Sequence, residues 1–412
     1  MKFQAPPGTR DILPSEFPLW NRITRTSEEV CELYGYSPIL TPGFEDSELF
    51  ERTSGAGSDV VRKEMYTFED RGGRSLTLSP EATAPICRAY IEHGLHREPQ
   101  PQKLYTIAAN YRYDRPQKGR YREFRQLSVE ALGSADPALD AELIQLYVEL
   151  LRRLEVGGYR IHLNSIGDRA CRPAYIEHLR AWLADHDTGL DEDTRAKANV
   201  SPLRVFDTKN PSVADVLTGA PKIGESLCDA CAQHFEEVQR YLNAYGVEYE
   251  LAPTLVRGLD YYTRTTFEFI GSNLGAQDSL VGGGRYDYLV EQIGGPPTPG
   301  IGFGAGIERL LISIQALPSG VALVPPAARV FFAFDEGVPR DDVLALMAKL
   351  RRGDVPCDTD YVDRSLKGQL TQAQRLGAET VVIARAAGFT LRRRAEPDLM
   401  LDRLDEVADA LA

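Results

Sequence analysis

Residues 111–130 read YRYDRPQKGRYREFRQLSVE, two runs of strand character around the turn-rich DRPQKGR. With their flanks they predict two strands over Leu104 to Glu130, joined by a loop carrying Arg115, Lys118, Arg120 and Arg122. Side chains alternate along a strand, so Arg112 and Asp114 share one face while Tyr111 and Tyr113 share the other. Arg112, Arg120, Arg122 and Arg125 are interleaved with Tyr113, Tyr121 and Phe124. A guanidinium fork matches phosphate oxygens in paired, charge-assisted hydrogen bonds. An aromatic face beside it can stack on a base for about 1–3 kcal/mol. The competing reading is a solvated, salt-bridged hairpin. Such a concentrated basic patch argues against it, because 47 basic and 60 acidic residues leave the whole chain at −13.

Working outward, an amphipathic helix is expected around Trp20 to Tyr34, then a short proline-limited strand at YSPILTP. Two strands follow around a turn at Arg71–Gly73, and a helix starts near Pro80 and stops at Gly94. Asp140 to Val156 has strong helical periodicity, and YRIHLNSIG reads as a strand. From about 168 to 246 the chain turns helical and charged, an insertion within a larger sheet domain. Strands are expected to resume through YELAPTLVRGLDYYTRTTFEFI and SLVGGGRYD, leading to GIGFGAGIERLLISI, a glycine-rich approach to a helix. LPSGVALVPPAAR suits a linker. Beyond it, strand and helix patterns alternate from RVFFAFD to ETVVIA, the signature of a small parallel α/β unit.

At about 150 residues per domain, 412 residues suggest two or three domains. With 43% hydrophobic and 26% charged residues, the chain is neither disordered nor a disulfide-built mini-protein. The acidic balance argues against a generic coater of duplex DNA. It leaves room for a local basic groove. No apolar stretch approaches the roughly 18–20 residues of a membrane span, and MKFQAPPGTRDILP has no apolar leader core. Six scattered cysteines read as free thiols, so a cytoplasmic location is expected.

Other motifs are weaker taken singly. GFGAGIER (302–309) places glycines at alternate positions but lacks a Walker Lys–Ser/Thr and fails the Rossmann spacing. Such glycines also serve close backbone approach to a flat ligand, with Arg309 in reach of a phosphate. Arg257, in the apolar approach LVRGLDYY, needs a partner if buried, either an anionic ligand or a carboxylate such as Asp260. Cys228-Asp-Ala-Cys231 has metal-ligand spacing, but no second Cys-x-x-Cys exists and His234 is too close for a two-plus-two zinc arrangement. Structural cysteines are therefore expected, with no catalytic or structural metal held by the protein.

Jointly, the segments resemble the histidyl-tRNA synthetases, class II aminoacyl-tRNA synthetases. GTRDILP, TPGFEDSELF, YRYDRPQKGRYREFRQ, LVRGLDYYTRTTFE, GGGRYD and GFGAGIER occur in the family's order across nearly the whole chain. The resemblance implies an α+β fold, an antiparallel sheet flanked by helices, in a catalytic domain over 1–324. A helical insertion at about 168–246 lies within it, and an α/β anticodon-binding domain spans 325–412. It implies a homodimer associating through the TPGFEDSELF segment, with no membrane role.

The implied reaction joins L-histidine to tRNA(His) through histidyl-adenylate, with ATP as substrate and Mg²⁺ accompanying it. By resemblance Arg112 and Arg257 contact the α-phosphate and the histidine carboxylate and are the catalytic pair. Arg120 and Arg309 hold the outer phosphates and Phe124 stacks on adenine. Glu81, Ala82, Thr83 and Gln126 hold the α-amino group. Glu130 and Tyr262 read the imidazole, and Tyr261 and Tyr286 line its pocket. Arg115 and Gln117 contact the tRNA acceptor end. Ser79, Ala82 and Arg125 stand where the family usually has arginine, glycine and histidine. A regulatory paralogue without catalysis is the second reading. The C-terminal domain and intact catalytic motifs argue against it.

Overall fold

A computed structural model describes residues 3–55, 58, 60–208, 210–271, 279–316, 330–393 and 396–411. Two compact units divide the chain, Met1–Leu13 with Leu19–Val321, and Pro14–Pro18 with Ala322–Ala412. The linker reading over 317–329 lies outside the described residues.

The larger unit is built on an eight-stranded sheet. Its order is Ser37–Pro38, Gln102–Tyr111, Glu123–Leu132, Gly300–Gly306, Ser279–Arg285, Thr263–Gly271, Tyr159–Ser165 and Glu250–Leu251. The six middle strands run antiparallel, and the two short end strands pair parallel. This is the α+β, antiparallel architecture expected from the motifs.

Alternation along the middle strands separates two jobs. Phe267, Phe269 and Phe303 fall on one face and are buried. Helix Pro137–Arg153 covers that face, and its Tyr147 ring packs edge-on against Phe269 at 4.9 Å and Phe303 at 5.4 Å. The helix starts where its sequence says it should. Asp136 accepts the Ala138 N–H as N-cap, and Pro137 occupies the first turn, where no backbone N–H is missed. Glu130, Glu268, Gly282, Gly302 and Gly304 fall on the opposite face.

A fully buried ion pair ties sheet to helix. Arg285, with no exposure, gives its Nε to Asp140 and its Nη1 to Asp287 and the Ser134 carbonyl. Its Nη2 goes to Asp140 and the Asp136 carbonyl. All five guanidinium protons are thereby used. Asp140 also accepts from Thr265 Oγ1 at 2.6 Å. Burial disfavours the charge on Arg285, but Asp140 and Asp287 more than restore it, so its pKa is raised.

The segment expected to be strand throughout, YELAPTLVRGLDYYTRTTFEFI, is corrected by the structure. Only Glu250–Leu251 and Thr263–Gly271 are strands, and the stretch between them is loop. Pro253 cannot donate to a ladder, and Asn164 instead holds this loop through the carbonyls of Pro253 and Leu255. The glycine-rich approach at 300–306 is a strand inside the sheet, with helix Ile307–Gln315 directly after it as expected.

Between Tyr159–Ser165 and Glu250–Leu251 lie helices Arg172–Asp185, Glu192–Val200, Pro211–Leu217 and Asp229–Ala244. Tyr175, Leu179, Val205, Val213 and Leu217 give this insertion a core of its own. Helix Asp229–Ala244 also packs on Pro137–Arg153.

In the smaller unit Val330–Phe334 lies between Cys357–Thr359 and Thr380–Arg385, parallel to both. The stretch after residue 385 adds two antiparallel strands, Gly388–Arg393 and Leu399–Leu401. Both faces of the central strand are buried, which is why VFFAF is apolar without alternation.

Replacing Asp140 by Ala should leave the Arg285 charge buried and unpaired, at a cost of about 3–5 kcal/mol. A urea titration followed by tyrosine and tryptophan fluorescence measures it. A midpoint equal to the parent's would show the pair to be dispensable.

Candidate active site

On the sheet face away from helix Pro137–Arg153 lies a cavity of about 310 Å³. Its floor depends on glycine. A Cβ on Gly282 would stand 1.7 Å from Arg257 Nη2, one on Gly302 would stand 1.7 Å from Glu130 Oε2, and one on Gly304 would stand 2.5 Å from Gln126 Nε2. No side chain fits at these three positions while those groups stay where they are. The alternate glycines of GGGRYD and GFGAGIER thus make room for the protein's own polar side chains, laid flat across the strands.

Arg112, Arg120, Arg257 and Arg309 all line this cavity, though they come from three separate stretches of chain. Arg112 is aimed by a hydrogen bond from its Nε to the Pro80 carbonyl (2.8 Å), and its guanidinium lies 5.5 Å from the centre of the Phe124 ring. Arg120 pairs with Asp114. Arg309 gives its Nε to the Gly119 carbonyl at 3.1 Å and its Nη1 to the Ser279 carbonyl. Burial, and then the nearby charges of Arg120 and Arg112, push the Arg309 pKa below its ordinary value. The guanidinium groups of Arg309, Arg120 and Arg112 thus stand close enough to repel one another, and an anion placed among them would relieve that repulsion.

Arg257 resolves the alternatives left open by its sequence context. Its carboxylate partner is Glu268, at 2.9 Å from Nη1, and not Asp260. Glu268 was not singled out from sequence. Its strand position, opposite Gly282 in register, is what brings it to Arg257.

The other wall is acidic and buried. Glu81 accepts the backbone N–H groups of Thr83 (2.7 Å) and Ala84 (3.0 Å), the first two residues of helix Thr83–Glu92, where a carboxylate also suits the helix dipole. Burial raises its pKa against those bonds. Glu130 accepts from the hydroxyls of Thr83 (2.7 Å) and Tyr286. Burial pushes its pKa up to about 8, opposed by those two hydroxyls and assisted by Glu81.

Of the residues named from sequence, Glu81, Thr83, Gln126, Tyr261 and Tyr262 line the cavity with the four arginines and Phe124. Ala82, Glu130 and Tyr286 are buried behind that lining, with Tyr286 turned onto Glu130 rather than into the space. Arg115 and Gln117 are exposed on the connecting loop, where Gln117 pairs backbone to backbone with Arg120. Sequence reasoning missed Arg204 and Asp207, which reach the cavity from the insertion. Their charge lay in a segment whose composition carries no nucleotide-binding signal.

Away from the cavity the reading of Cys228 and Cys231 as a solitary pair is corrected. Asp168 and Cys171 join them in one cluster. Among the described residues no helix is long and apolar enough to cross a membrane.

The sequence model of a family described as histidyl-tRNA synthetase matches residues 8–310. A histidine–tRNA ligase of Caldanaerobacter subterraneus subsp. tengcongensis is 45% identical over 384 residues, covering 93% of this chain and 92% of the relative. One from Moorella thermoacetica is 47% identical over 384 residues, 93% of this chain and 90% of its own. A crystal structure of apo histidyl-tRNA synthetase from S. aureus superposes with a TM-score of 0.83 at 32% identity, covering both chains fully. The motifs, the glycine-floored arginine cavity and these matches agree, and the chain belongs to the histidyl-tRNA synthetase family of class II aminoacyl-tRNA synthetases.

Proposed function

We propose that this cavity activates L-histidine with ATP and passes it to the 3′ end of tRNA(His), releasing pyrophosphate and AMP. The carrying observation is the meeting of Arg112, Arg120, Arg257 and Arg309 in one cavity with a buried acidic wall beside them. The arginines suit phosphates and a carboxylate; Glu81 and Glu130 suit an amino group and an imidazole.

Glu81 and Thr83, helped by Gln126 and the adjoining Ala82 backbone, hold the α-amino group. Glu130, fixed by Thr83 and Tyr286, takes one ring nitrogen and Tyr262 the other, with Tyr261 packed against them. A pocket that hydrogen-bonds both ring nitrogens rejects analogues lacking them by about 10⁴-fold. Arg112 and Arg257 orient the carboxylate for attack on the α-phosphorus. The bond formed joins carboxylate oxygen to phosphorus, and the bond broken releases pyrophosphate. Arg257 and Arg112 face the charge that grows on the non-bridging oxygens, and no covalent enzyme intermediate is needed. Arg120 and Arg309 hold the outer phosphates, and Phe124 offers its face to adenine.

The wall includes the carboxylates Glu64, Asp114 and Glu308, oxygen donors of the kind Mg²⁺ accepts. Such an ion would neutralise charge on the outer phosphates. In the second step the terminal ribose hydroxyl attacks the histidyl carbonyl and AMP leaves. Arg115 and Gln117, exposed on their loop, contact the acceptor end. The larger unit is the catalytic domain, with the insertion at about 168–246, and the smaller unit is the anticodon-binding domain. The protein acts in the cytoplasm as a homodimer, paired through the segment containing edge strand Phe44–Asp46, where Phe44 is half exposed.

Arg257→Ala should lower histidine-dependent exchange of pyrophosphate into ATP by about 10²–10³-fold, the cost of one lost transition-state donor. Circular dichroism should show a folded protein, and an exchange rate equal to the parent's would remove Arg257 from the chemistry.

A pH test addresses the acidic wall. Folded Glu130, near 8 against an ordinary 4.5, keeps a proton that the unfolded chain releases. Its contribution to stability is full below pH 4.5 and is lost as pH rises toward 8. In Glu130→Gln that loss vanishes, so the melting temperature of the variant relative to the parent should climb across this window. Parallel profiles would mean that Glu130 titrates normally.

A further inference from the structure

Where the insertion leaves the sheet, four candidate ligands meet. Asp168 and Cys171 lie between strand Tyr159–Ser165 and helix Arg172–Asp185. Cys228 is the N-cap residue of helix Asp229–Ala244, and Cys231 lies in its first turn. One carboxylate oxygen and three sulfurs all fall within 4.8 Å of one another. Asp168 and Cys171 are buried, Cys231 has no exposure, and Cys228 is half-buried. The thiols are free.

We infer that Asp168, Cys171, Cys228 and Cys231 form a structural zinc site, with Asp-x-x-Cys in place of the second Cys-x-x-Cys absent from the sequence. Three thiolates and one carboxylate match the four-coordinate, closed sites that zinc occupies in a structural role. Soft sulfur ligands select zinc over magnesium or calcium. In a tetrahedron with Zn–S near 2.3 Å, sulfurs stand roughly 3.8 Å apart, so the ligands close by about 1 Å at most. Binding releases three thiol protons to solvent.

The surroundings are arranged for it. The Asp168 carboxylate is held by the Ala170 N–H at 2.9 Å and by Arg264 Nη2 at 3.2 Å, which aims it and offsets charge. Gly167 has φ +62°, and a Cβ there would stand 2.6 Å from the Cys171 sulfur, so only glycine lets the loop wrap this thiol. Arg172 then binds the carbonyls of Gly167 (3.0 Å) and Tyr262 (2.7 Å). The site thus clamps the first and last helices of the insertion together and, through Arg172, steadies the backbone of a cavity residue.

Protein purified under reducing conditions without chelator or metal-affinity tag should contain one zinc per chain by elemental analysis. A mercurial that titrates the thiols should release it to a colorimetric indicator. Cys228→Ser should lose most of this zinc, whereas Cys357→Ser, altering a thiol in the other unit, should keep it. Should Cys228→Ser fold poorly, metal-stripped parent protein titrated with Co²⁺ decides, since tetrahedral thiolate ligation gives intense visible bands. The proposal is overturned if stripped parent takes up neither Zn²⁺ nor Co²⁺ under reducing conditions. Finding only a disulfide that excludes metal, or full zinc content in folded Cys228→Ser, overturns it equally.

Discussion

The active face of this sheet depends on a steric constraint. Arg257, Glu130 and Gln126 cross the strands where Gly282, Gly302 and Gly304 lack a Cβ. Interiors are packed near crystal density, so one added methyl group at these positions would displace a guanidinium or a carboxylate from the floor. The rest of the site follows from this. The polar groups lie low, leaving about 310 Å³ above them, on strands whose register is set by their own ladder of hydrogen bonds.

The arginines are costly to assemble. Like charges repel and burial strips their water, which is why the Arg309 pKa falls. The protein offsets part of the cost with its own carbonyls and carboxylates: Pro80 for Arg112, Asp114 for Arg120, Glu268 for Arg257, and Gly119 and Ser279 for Arg309. Donors held this way need little reorganisation when charge develops on a phosphate, and such preorganisation is the main source of electrostatic catalysis. The acidic wall works in the opposite sense. Burial lifts the Glu130 pKa to about 8, so this wall favours a neutral carboxyl where the arginines stay charged.

Much of this was legible in the chain. Strands Gln102–Tyr111 and Glu123–Leu132 stand where the pattern around DRPQKGR predicts them, and helix Pro137–Arg153 begins at a cap the sequence spells out. The alternating glycines were recognised as a place of close approach, but what approaches them was not. Their neighbours Arg257, Glu130 and Gln126 come from other strands or from a loop, and local pattern carries no register. Segment 252–262 was misread as strand because its apolar residues pack against the core as loop, with Asn164 supplying the hydrogen bonds a ladder would have given.

Sequence by itself determined most of the element types and the family. Each of these is written in spacing, capping, composition or local motif. Tertiary structure alone decided the pairings: Arg257 with Glu268, Glu130 with Tyr286, Arg285 with Asp140, and Asp168 and Cys171 with Cys228 and Cys231. The physical reason is that an ion pair or a ligand set needs groups a few ångströms apart in space. Strand register and helix packing set those distances between residues that lie far apart along the chain.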